Sequence, residues 1–231
     1  MPRSAGRKPP RLRSVAHPKQ ARSEATLHRL LDAAELLIQD KGLADVSIPD
    51  IVARAGSSVG GFYARFKDKD ELLRALEERF LAQMRDLVDG LSAPARWEDA
   101  SIADIVRTGV ATLLAVFQEH RPLLAAFMER AAHGQGPELQ DILGFRREVS
   151  ARFVELLHSR HEELAHPDPE VAIDLAIQVL FGLMQQLIVF GEVRVGERRL
   201  GEDELATELA RIVLHYIGYS EGAAVHPDQT Q

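Results

Sequence analysis

Residues 47–66 read SIPDIVARAGSSVGGFYARF, and this stretch decides the fold. Ser47, with Pro49 in the first turn and Asp50 three residues on, is a capping-box start for a short helix. That helix stops at Ala55-Gly56, since glycine readily ends a helix in a left-handed turn. Ser57-Ser58 can then cap a second short helix that reaches about Phe66. Two short helices joined by a tight glycine turn have helix-turn-helix geometry, whose second helix enters the DNA major groove. Taken alone, such a corner is equally a structural device, with Tyr63 and Phe66 as core aromatics and the glycines as a loose turn. Its setting points to nucleic acid. Residues 1–67 carry 12 Lys or Arg against 6 Asp or Glu, whereas residues 68–231 carry 16 against 29. The net charge of −7 therefore hides a basic end on an acidic body, which can offer one face to a polyanion.

The flanking segments are helical too. Leu27, Leu30, Leu31, Ala34, Leu37 and Ile38 recur at helical spacing and predict a helix from Ser23 that ends at Gly42. Asp68 and Glu71 cap a long helix with Leu73, Leu76, Phe80, Met84, Leu87 and Leu91 on one stripe. Further stripes follow at Ile102–Phe117, Leu123–Ala132, Ile142–Leu156, after Asp168-Pro169, and at Leu205–Ile217. The count is nine helices, and Val193–Val195 is the only candidate strand. The expected class is all-α. We expect a basic disordered arm over 1–22, a three-helix helix-turn-helix domain over 23–67, a helical body over 68–219 and a disordered tail over 220–231. The arm holds seven basic side chains and no acid. It is either a solvated tail or an arm that lies along DNA phosphates or reaches the minor groove.

The motifs Ala55-Gly56-Ser57-Ser58, Phe62-Tyr63-Ala64-Arg65-Phe66 and Lys69-Asp70-Glu71-Leu72-Leu73 resemble the N-terminal domain of TetR-family transcriptional regulators over roughly residues 23–73. The resemblance implies a dimeric repressor with a variable ligand-binding domain. It implies that Tyr63 and Lys69 contact phosphates, that Ser58 caps the reading helix, and that Val59, Gly60 and Gly61 face the bases; Ser47, at the start of the corner, is counted with this DNA-binding set. Two positions depart from the pattern: Gly61 stands where the family often has Ser or Thr, and Ser57 where Val is common. The residue chemistry agrees with this placement. A helix N-terminus opened by Lys69 favours phosphate, Val59 can meet a thymine methyl, and glycines at 60 and 61 let backbone approach DNA.

In the body, the helix Val171–Phe190 is apolar nearly all round and must be covered on both sides. The expected partner is a second copy, with helices 169–190 and 203–219 of two chains forming a four-helix bundle. A central helix of a monomer is the alternative. Phe117, Phe127, Met128, Phe145, Phe181 and Met184, with Gln178 and Gln185 as polar anchors, suit an apolar effector pocket, though each can equally be core. The apolar run 175–190 is short for a bilayer span, which needs about 20 residues, and the basic start has no signal-like apolar segment. We therefore expect a cytoplasmic protein without a membrane partner. With no cysteine, thiolate metal sites, disulfides and cysteine nucleophiles are excluded. His158, His161 and His166 lack a well-placed further ligand, so no metal or cofactor is expected. No nucleophile stands at a spacing that implies a base beside it. The rival readings are a small all-α enzyme and a helical adaptor whose corner is structural.

Overall fold

Helices begin where a polar side chain can bond the amides that a helix leaves free at its start. The computed structural model describes residues 21–133 and 137–220. Within them run α1 (Ala21–Lys41), α2 (Ile48–Arg54), α3 (Val59–Tyr63), α4 (Lys69–Leu91), α5 (Ile102–Glu119), α6 (Arg121–His133), α7 (Pro137–His158), α8 (Pro169–Phe190) and α9 (Glu202–Tyr216). The expected arm and tail lie outside the described residues, apart from Ala21 and Arg22, which open α1, and Ser220. The two-residue strands β1 (Arg194–Val195) and β2 (Arg198–Arg199) pair antiparallel. The candidate strand is thus one arm of a short hairpin, turned at Gly196 with φ +62°. The class is all-α.

The described chain divides into two compact units. One holds the residues up to Asp86 together with Ala126–Glu138, and the other holds Leu87–Ala125 together with the residues from Leu139 on. The first unit therefore runs well past residue 67, where composition suggested a boundary. The cause is the N-terminal half of α4. Leu72, Leu73 and Leu76 are at most 2% exposed, in a core with Leu30, Leu31 and Ile38 of α1, Ile51 of α2, and Phe62 and Phe66. Below them Arg79 donates to Asp32 at 2.6 Å and to Glu35, both on α1. Segment 126–138 joins this unit through Arg130, paired with Glu77 of α4, and through Phe127, whose ring lies 5.9 Å from that of Phe80.

In the second unit α5 packs against α8 and α9. The core gathers Trp97, Ile102, Ile105, Met184, Leu205 and Ile217. Ser101 caps α5 in a capping box with Asp104, and this bonding to Ser101 lowers the Asp104 pKa. Asp168 accepts from the Val171 amide at 3.1 Å and starts α8, whose end is the left-handed Gly191 at φ +78°. There Arg121 donates from Nε to the Ile188 carbonyl at 3.1 Å.

Helix α8 is 22 residues long and, by length and composition alone, could cross a membrane. That is longer than the 16-residue run suggested, because the helix also takes in Glu170 and Asp174. Only 33% of its most apolar stretch is buried within the chain. Ala172, Ile173, Ala176, Leu180, Met184, Leu187 and Ile188 face the core. Val171, Leu175, Val179, Val189 and Phe190 are exposed, as are Ile212 and Tyr216 of α9.

Candidate nucleic-acid interface

The corner is built from local bonds. The Ser47 hydroxyl accepts from the Asp50 amide at 3.3 Å, and Asp50 accepts from the Ser47 amide at 3.2 Å and from its hydroxyl at 2.7 Å. Lys41 adds a contact at 3.0 Å. The Ser47 hydroxyl, then Lys41, then the Ser47 amide lower the Asp50 pKa to about 2, so the box stays charged at neutral pH. Helix α2 closes on Gly56 at φ +58°, with the Ser57 amide reaching back to the Val52 carbonyl at 2.9 Å. This is a glycine C-cap of the Schellman kind.

Ser58 then caps α3, its Oγ accepting from the Gly61 amide at 3.0 Å. Helix α3 is only five residues long and ends before Phe66, with Arg65 donating to the Gly61 carbonyl at 2.7 Å. Phe62 is fully buried and anchors α3, stacking edge-on with Tyr63 and tilted against Phe66. That anchor turns the other face outward. Val59 is 48% and Tyr63 55% exposed, an unusual position for such apolar surface, and Ser58 and Gly60 are exposed beside them.

The two glycines differ in their cause. A Cβ at Gly61 would lie 2.8 Å from Ser57 Oγ, a hydroxyl that can rotate away, and 3.2 Å from the capping Ser58 Oγ, so a side chain there needs both hydroxyls to shift. A Cβ at Gly60 would meet nothing closer than 4.0 Å. Nothing among the described residues requires Gly60 to lack a side chain.

Lys69, the expected phosphate contact, is engaged within the chain. Its ammonium donates to the carbonyls of Leu43 at 3.0 Å and Val46 at 2.9 Å, in the loop between α1 and α2. Sequence reading also passed over Lys67. This exposed residue lies between α3 and α4, and its side chain has no hydrogen bond or ion pair among the described residues. The available signal was its place four residues after Tyr63, in the link that leads from α3 into α4.

The expected effector residues divide between the two units. Phe127 and Met128 belong to the first unit. In the second, Phe117 and Phe181 pack with ring centres 6.1 Å apart, Arg146 lies over Phe181, and Phe145 and Met184 are buried. Gln178 and Gln185 are exposed on the outer face of α8 rather than anchoring a pocket. Gln178 instead donates to Asp174 at 2.7 Å. The imidazoles of His158 and His161 stack, with His158 Nδ1 3.3 Å from Glu170. Among the described residues no group of three or more side chains is placed to hold a metal ion.

Comparison with known proteins places this corner among related ones. Residues 30–76 match the model for bacterial regulatory proteins of the tetR family. The chain is 38% identical over 73 residues to the uncharacterized HTH-type transcriptional regulator YvdT of Bacillus subtilis, spanning 32% of this chain and 37% of that protein. It is 29% identical over 178 residues to the HTH-type transcriptional regulator SrpR of Pseudomonas putida, covering 75% and 76% of the two chains. A crystal structure from Mesorhizobium loti, assigned to the TetR family, superposes with a TM-score of 0.67 at 18% identity, over 85% of this chain and 97% of that one. This last likeness is one of fold.

Proposed function

The chain belongs to the TetR family of transcriptional regulators, and from that premise we propose that it is a repressor that binds operator DNA as a homodimer in the cytoplasm. A small, largely apolar effector releases it. The observation that carries the DNA-binding half is the outward face of α3. Val59 and Tyr63 are held exposed by the buried Phe62, beside a Gly60 that no contact among the described residues requires. Backbone at Gly60 can come close to base edges, Val59 can meet a thymine methyl, and the Tyr63 hydroxyl can donate to a phosphate. The test is retention of duplex DNA at low and high salt. Electrostatic docking predicts strong retention at low salt that falls steeply as salt rises. Val59→Ala should alter sequence preference by about 1 kcal/mol or more at one base step while hardly changing affinity for mixed sequence. Absence of salt-dependent retention would leave the corner structural, as in the adaptor reading.

The dimer is proposed through α8 and α9, whose outer faces carry uncovered apolar side chains. A dimer that reads two successive major grooves needs half-sites about 34–36 Å apart, or a multiple of that. The effector site is proposed in the second unit around Phe117, Phe145, Phe181 and Met184, without the glutamines. Coupling between effector and operator is expected at about 1–3 kcal/mol and must be reciprocal. Calorimetry of a thermal-shift hit, with and without operator duplex, reads it directly. Equal affinity in both titrations rules out regulation through that site.

A further inference from the structure

Resting on the DNA-binding reading above, we propose that Lys67, and not Lys69, is the charge of the α3–α4 corner that neutralises a DNA phosphate, while Lys69 is a positioning residue for the α1–α2 loop.

An ammonium has three N–H donors. Lys69 is half-buried, and two of its donors are engaged by the Leu43 and Val46 carbonyls, 26 and 23 residues away in sequence. Both acceptors lie in the short link that follows the end of α1 at Gly42, where the Val46 amide already turns back on Leu43 O at 3.2 Å. Swinging Lys69 out to a phosphate would strip two carbonyls of a charged donor and release the link that leads into the Ser47 cap. The geometry suits a clasp that sets α2, and through it α3, against the start of α4.

Lys67 has the opposite surroundings. The Glu71 carboxylate holds its backbone N–H, so the root of the side chain is fixed while the stem is exposed. The neighbouring Asp68 carboxylate is turned to the Glu71 amide at 2.9 Å. The other cations nearby are engaged: Lys41 with Asp50, Arg54 with Asp40, Arg65 with the Gly61 carbonyl, and Arg79 with Asp32 and Glu35. Lys67 therefore brings an exposed charge, with no internal pair to break, to the loop that follows the exposed Tyr63.

Counterion release separates the two roles, because only a charge that meets a phosphate changes the slope of log K against log salt. The measurement is fluorescence anisotropy of the full-length chain on a labelled mixed-sequence duplex over a salt series, beside amide hydrogen exchange of residues 42–47. Lys67→Gln should flatten the slope by about 0.9 per chain and leave exchange at 42–47 as in the wild type. Lys69→Met should speed that exchange and weaken binding, with the slope close to the wild-type value. A Lys69→Met slope flattened like that expected for Lys67→Gln, with exchange unchanged, overturns the assignment. So does a Lys67→Gln slope equal to the wild type, and that variant alters only an exposed side chain, so folding does not confound it. A wild-type chain that is not retained at low salt fails earlier and in a different way. It overturns the DNA-binding reading itself.

Discussion

Val179→Glu is expected to turn a dimer into a folded monomer in light scattering at micromolar concentration. Val179 is 59% exposed, on the outer stripe of α8 with Val171, Leu175 and Val189, and a carboxylate there is tolerated by a single chain. In a two-fold bundle of α8 and α9 the stripe faces its own copy, so each chain would bring one unpaired charge into a dry interface. Burying an ion without a partner costs several kcal/mol, and the dimer would bear it twice. Circular dichroism should keep its helical signal. Leu187, on the same helix, is the wrong choice for this experiment. It is 8% exposed and faces the core, so a charge there reports on folding rather than association. A wild type that runs as a monomer, or a Val179→Glu variant that stays dimeric, ends the bundle proposal.

Arg130→Met is expected to destabilise the first unit by about 3–5 kcal/mol, the usual cost of taking one partner from a buried ion pair. Glu77 is 4% exposed, and without the guanidinium its carboxylate loses the Arg130 ion pair in a low-dielectric setting. The arrangement predicts a second result that guards against misreading. Replacing both residues, Glu77→Leu with Arg130→Met, should recover most of the loss, since apolar substitutes for a buried pair are often neutral. Urea unfolding of the single and double variants checks both. A single variant that costs under about 1 kcal/mol would mean that the pair is solvated in solution.

What the sequence made legible is what is local. The caps at Ser47, Ser58, Asp68 and Asp168 each join residues three apart, so pattern alone located four helix starts. The end of α3 is set by geometry instead. Its pattern continues to Phe66, but Ala64 already closes the helix, and Phe66 belongs to the core as part of the turn that follows. The two carbonyls that hold Lys69 come from another segment of chain, and no spacing rule finds them. Helix α8 failed for a different reason. With apolar residues all round it has little amphipathic contrast, so nothing in the pattern told the inner Leu187 from the outer Val179, or showed Gln178 and Gln185 turned outward. Phe127 and Met128 were grouped with the body by position along the chain, whereas the division between units falls inside their helix.

That division has a consequence for anyone building hybrid regulators. The chain passes between the units after Asp86, after Ala125 and after Glu138, and these points fall within α4, α6 and α7. None of the three crossing points lies between helices. A head grafted onto a foreign body with its junction at residue 67 would leave behind Leu72, Leu73 and Leu76, and would strand Asp32 and Glu35 without Arg79. A junction after Asp86 would still lack Phe127 and Arg130, which arrive about 40 residues later in the chain as the second piece of the same unit. A portable reading head must therefore be assembled from two separate stretches, 21–86 and 126–138.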